Sequence, residues 1–153
     1  MISETVFSAI GNTVLVAWIA LVAGLALAGR SPRANRLIWF GGWVVPLALA
    51  AFYVLLFAVL AAGEPRGDLF SLGGIIQKFS SSDHLFLLYV EVLTFSLFIA
   101  RWIIEDSRRR SFPRWAVMLI LPLQFLLGPA GLVAYMAASR GLQRRRAKGS
   151  EVL

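Results

Sequence analysis

Four long apolar blocks, separated by short polar loops, set the pattern of this chain: residues 7–29, 37–62, 85–104 and 115–139. The first, second and fourth carry no charge, and the third carries Glu91 and Arg101. About 20 residues at 1.5 Å each cross a hydrocarbon core of ~30 Å, so each block is long enough to span one. In lipid only helices or closed barrels satisfy the backbone, and these blocks are too long and too continuous for barrel strands. The pattern predicts an all-α integral membrane bundle of four transmembrane helices. Residues 1–153 form a single membrane domain that ends in a basic tail over 140–153.

The polar stretches refine this picture. Leu69, Leu72, Ile76 and Phe79 recur at helical spacing in the second loop, with Ile75 beside them. They predict a short interfacial helix between helices two and three, hinged at Gly73-Gly74. Ser82 or Asp83 is placed to cap helix three. Ala17, Ala20, Gly24 and Ala28 give helix one a small-residue face that a neighbouring backbone can approach. Pro46 and Pro129 predict kinks in helices two and four, and Pro122 loosens the early turns of helix four.

Composition then narrows the chemistry. The chain is 59% hydrophobic and 15% charged, against about 25% charged in a soluble domain. It has no cysteine and one histidine, His84, which excludes disulfides, thiolate metal sites and a multi-histidine metal centre. No metal or other cofactor is expected. The net charge of +7 comes mostly from arginines at helix ends, which fits topology signals and lipid headgroups rather than nucleic acid. No Lys or Arg precedes the first block, so it reads as a retained span and not a cleaved signal.

Orientation contains a conflict. With four spans, the loops after helices one and three share a side and hold eight of the 15 Lys and Arg, leaving seven opposite. The short loops decide, and they place the first and third loops in the cytoplasm with both termini outside. The tail RGLQRRRAK opposes this. A break at Gly128-Pro129 would return it to the cytoplasm, but a kinked continuous span is the expectation.

Glu91 is the candidate for chemistry. An ionisable group that deep in a span costs on the order of 2.5–3.5 kcal/mol by insertion scales, and such groups usually face a bundle interior and mark a site. No cation lies near it by depth, since Arg101 is ten residues, about 15 Å, further along. Asn12, Tyr53, Gln124 and Tyr135 are the candidate partners, and with Trp18 they form the candidate substrate-binding set. Gln124, Gly128, Gly131 and Tyr135 share one face of helix four. Arg101-Trp102 reads as an interfacial anchor.

The runs FSLGGIIQKF, LFIARWIIEDSRRRSFPR and LLGPAGLVAY resemble the family of small membrane proteins related to the plant abscisic-acid-deficiency protein needed for neoxanthin synthesis. The resemblance covers nearly the whole chain, and Arg101, Trp102, Asp106, Gly128, Pro129 and Gly131 are its best-matched positions. It implies four membrane helices and a link to xanthophyll conversion, in which an epoxide-bearing carotenoid is rearranged to an allenic one. That isomerisation needs acid help at the epoxide oxygen and loss of a proton from the polyene, with no metal or redox cofactor in principle. Family members carry a His and an Asp in a pattern like WxHxxAFDLFxGRWI. Here YVEVLTFSLFIARWI puts Glu91 at the His and Ser96 at the Asp.

Two functions follow. The first is a carotenoid- or isoprenoid-modifying isomerase, or its accessory subunit, with Glu91 as acid. The alternative is a non-catalytic pigment- or lipid-binding membrane partner or assembly factor. A proton-coupled carrier is a third idea, thin for four helices unless they oligomerise. Expected partners are membrane lipids, a carotenoid or other isoprenoid, and a second copy or a membrane enzyme. The expected location is a bacterial inner membrane.

Overall fold

The computed structural model describes residues 3–63 and 71–150, and every regular element among them is helical. Ser3 accepts the Val6 amide and starts α1 (Glu4–Ala26). The chain turns at Gly29, where φ is +79°, and enters α2 (Arg33–Trp39). A π-helical turn, Phe40–Val44, joins α2 to α3 (Val45–Gly63) in one continuous rod. Next come a short α4 (Leu72–Lys78) and a long α5 (Ser82–Arg109), and α6 (Arg114–Leu127) and α7 (Pro129–Ser150) complete the chain.

Among the described residues, three helical segments are long and apolar enough to cross a membrane: Glu4–Ala26, Arg33–Ala62 and Ser82–Arg109. The protein is a membrane protein on that ground, and its surface agrees. Val16, Ile19, Val54, Leu55, Val59, Val92 and Phe95 all point outward, as lipid-facing residues do, because lipid gives an apolar side chain no reason to hide. Inside, Val14, Ala17, Leu21, Val90, Leu97, Ala100, Ile103, Val117 and Leu121 form one core.

Small residues set the closest approaches. A Cβ at Gly24 would lie 2.9 Å from the Ala34 carbonyl oxygen, and one at Gly41 would lie 2.5 Å from that of Ala17. The approach of α1 to α2 therefore needs Gly24, and its approach to the turn at Phe40–Val44 needs Gly41. The π turn sits just before Pro46, the residue at which a kink in this helix is expected from sequence.

The fourth expected span is where the structure differs most. In place of a kinked helix over 115–139 there are two helices, α6 and α7, broken at Gly128. Gly128 has φ +50° and ψ −109°, a conformation L residues rarely adopt, and Pro129 has no amide to continue the α6 ladder. The chain then doubles back. An unbroken helix would put Phe112 and Tyr135 about 35 Å apart, yet their ring centroids are 5.6 Å apart. Gly131 makes the fold-back possible, because a Cβ there would sit 2.5 Å from the Gln124 backbone. The returning arm thus leads the chain after Tyr135 back toward the α5–α6 turn.

Two smaller expectations also change. Ser81, not Ser82 or Asp83, caps α5, accepting the His84 amide at 3.3 Å while its hydroxyl meets His84 Nδ1 at 2.7 Å. Gly73 and Gly74 lie inside α4 rather than forming a hinge, because Ser71 caps that helix ahead of them. Leu72 and Ile76 on α4 are exposed; Leu69 lies outside the described residues.

Candidate functional site

α5 carries two polar clusters. The first is near its middle. Glu91 is half-buried and accepts a hydrogen bond at 3.2 Å from the Tyr53 hydroxyl of α3. Tyr53 stacks on Phe57 at 6.2 Å, and Thr94, one turn on from Glu91, spends its hydroxyl on the Val90 carbonyl. Of the four partners expected for Glu91, the structure brings it only Tyr53. Asn12 is exposed on α1. Gln124 is fully buried on α6, with neither amide atom hydrogen-bonded. Tyr135 is engaged elsewhere. Ser96 is half-buried, on a different face of α5 from Glu91.

The second cluster lies at the C-terminal end of α5. Tyr135, fully buried, donates its hydroxyl to Asp106 Oδ2 at 2.8 Å, and Arg110 pairs with the same oxygen at 2.6 Å. Trp102 and Phe112 meet the Tyr135 ring edge-on, at 5.8 and 5.6 Å. One turn earlier Arg101 pairs with Glu105 at 2.5 Å and places its guanidinium 4.7 Å from the Trp43 ring centre. Its stem packs on Gly42, where a Cβ would lie 2.7 Å from Arg101 Cδ. Arg101, expected from sequence as an interfacial anchor, is therefore turned inward onto the π turn, and one buried guanidinium nitrogen has no partner among the described residues.

Several of the positions that the sequence resemblance singled out converge on this second cluster. Asp106 and Trp102 hold Tyr135, while Gly128, Pro129 and Gly131 make the turn that delivers it. Together they fasten the returning arm to α5. Trp43, Glu105, Gly41 and Gly42 escaped the sequence reading. The i,i+4 spacing of Arg101 and Glu105, and the paired glycines beside a tryptophan in FGGW, were the available signals.

Trp18 is buried in α1, its ring 5.3 Å from Phe125 and its indole nitrogen without a partner. It helps line an apolar groove of about 390 Å³ between α1 and α6. Apart from Asn12, exposed on α1, and Gln124, buried on α6, the site residues expected from sequence fall at three places: the Glu91–Tyr53 pair, the Asp106–Tyr135 lock with its turn, and the α1–α6 seam.

What the first pair can do chemically is simple. A carboxyl with one hydrogen-bonded phenol beside it can give a proton to an oxygen on an apolar ligand and take one back. The second cluster has its carboxylates already engaged by Arg101, Arg110 and Tyr135, which suits fastening.

Compared with known families, residues 5–135 match the model described as ABA DEFICIENT 4-like. The matched stretch ends at Tyr135, so it contains the whole turn and its lock. No curated protein and no solved structure matches the chain.

Proposed function

We infer that this chain, which belongs to the ABA DEFICIENT 4-like family, binds a carotenoid-class isoprenoid within a bacterial inner membrane and isomerises it. Glu91 is the acid. The observation that carries this reading is the 3.2 Å hydrogen bond between Tyr53 and Glu91, half-buried between two helices apolar enough to span the membrane. For an epoxide-bearing substrate, Glu91 protonates the epoxide oxygen as the C–O bond breaks. The resulting carboxylate, hydrogen-bonded by Tyr53, accepts the proton that the polyene loses. Proton gain and loss cancel, so the product is an isomer and no oxidant or reductant is consumed. The α6–α7 hairpin serves as the fourth membrane element in this reading, entering the bilayer and returning.

The test is to express the chain in a host that accumulates an epoxycarotenoid and to analyse total and co-purifying pigment by chromatography with mass detection. A new pigment of unchanged mass is expected, and it should disappear with Glu91→Gln. Ser96, standing where the family pattern has a carboxylate, favours a second reading: a non-catalytic pigment-binding partner of a membrane enzyme. Pigment that co-purifies unchanged would support that reading, and absence of both conversion and bound pigment would overturn the two together.

A further inference from the structure

The end of the bundle where α1 turns into α2 and α5 turns into α6 shapes a half-open pocket of about 550 Å³. Ala28 and Gly29 form one wall, Asn35 another, and Arg108 and Arg114 bring positive charge. A second cavity of about 370 Å³ shares Gly29 and Asn35 with it and adds Arg30. Among the described residues, no carboxylate lines either one. The acids nearest in sequence are taken, Glu105 by Arg101 and Asp106 by Arg110 and Tyr135. Arg108 donates to Asn35 Oδ1 at 3.1 Å, and Arg114 donates to the Ala28 carbonyl. A guanidinium has five N–H groups, so each retains donors for a tetrahedral anion.

The apolar groove lies along the same α1–α6 seam. It runs from Leu15 to Ala26 on α1, opposite Pro122 and Phe125 of α6. Eleven helical rises give it a length of about 16 Å. The groove stops at Ala26 and the basic cavity begins at Ala28. A charged pocket followed by an apolar trough on one seam is complementary to an amphiphile, and its charge calls for an anionic head.

We propose that one phosphate-bearing anionic membrane lipid occupies both, with its phosphate between Arg108 and Arg114 and a hydrocarbon chain in the α1–α6 groove. This site is separate from Glu91 and does not depend on the pigment reading. Free phosphate shares the head chemistry, but only a lipid uses the groove.

The test titrates phosphatidylglycerol, inorganic phosphate and diacylglycerol separately against the full chain in mild detergent and reads the thermal midpoint. A saturable rise is expected with phosphatidylglycerol, and none with the other two at equal concentration. Arg108→Gln removes a charged donor and should weaken apparent affinity about tenfold. Ala23→Trp fills the groove and leaves the cavity intact, and should weaken it comparably. An equal rise with inorganic phosphate would make this a free-anion site, and an equal rise with diacylglycerol would make it a general apolar trough; either overturns the proposal. So would no rise with any probe, or a phosphatidylglycerol response unchanged in both variants. Should one variant not fold, the other and the three wild-type titrations still decide.

Discussion

The two polar clusters of α5 lie about 22 Å apart along the helix and are built in opposite ways. At Asp106 a buried tyrosine, an arginine and two aromatic rings converge on one place. At Glu91, among the described residues, a single tyrosine donates a hydrogen bond, and both partners remain half-exposed. A group held from several directions is suited to fixing geometry. A group held by one bond keeps capacity for a ligand. Asp106 belongs to the first kind, and Glu91 belongs to the second. In this chain the densely held cluster builds the scaffold, and the lightly held carboxyl is the better candidate for chemistry.

The comparison breaks most sharply at the turn. Gly131→Val places a side chain on the Gln124 backbone, where a Cβ already falls at 2.5 Å. Relief requires moving one arm of the hairpin, so the loss should be about 3 kcal/mol or more. It would be read as a fall in thermal midpoint and in the monodisperse fraction in detergent. An unchanged midpoint would mean the arms do not pack as described.

Asp106→Ala comes next. It strands the fully buried Tyr135 hydroxyl without an acceptor and frees Arg110 from its ion pair, at a cost of about 1–3 kcal/mol. Glu91→Gln removes one half-exposed bond and should cost less than about 1 kcal/mol. If denaturation in mixed micelles ranks Glu91→Gln as the more damaging, the division between scaffold and site fails.

The smallest effect has the opposite sign. Gln124 is fully buried with both amide atoms unpaired. Gln124→Leu keeps the volume and removes the desolvation penalty, so stability should rise by about 1–2 kcal/mol. A loss of stability would show that the amide has a partner in the membrane.

The hairpin also makes a topological statement that the absence of cysteine makes easy to check. Single cysteines at Pro32 and Gly141 should be labelled by an impermeant maleimide from one side of sealed vesicles, and one at Ser80 from the other. Labelling of Gly141→Cys together with Ser80→Cys would restore the continuous fourth span.

Much of this was legible from sequence and some was not, for physical reasons. The three segments long and apolar enough to span followed from block length alone, because lipid imposes that length directly. The break at Gly128 could be named as an alternative but not preferred, since hydrophobicity runs unbroken through 115–139 and a hairpin is as apolar as a span. Its trace was the basic tail, whose arginines conflicted with a fourth crossing. Arg101 read as an anchor because sequence shows its depth and not its direction, and Gly42 and Trp43 turn it inward. Glu91 could be singled out by cost alone, but choosing Tyr53 over Asn12, Gln124 and Tyr135 needed the α3–α5 packing.

The most direct test sets the two clusters against each other in one host. Glu91→Gln and Tyr135→Phe would be expressed in the epoxycarotenoid-accumulating strain, and pigment compared at equal amounts of folded protein. Conversion should stop in Glu91→Gln and persist, per folded molecule, in Tyr135→Phe. Conversion that survives Glu91→Gln but is lost in Tyr135→Phe would contradict the account and move the chemistry to the Asp106 cluster.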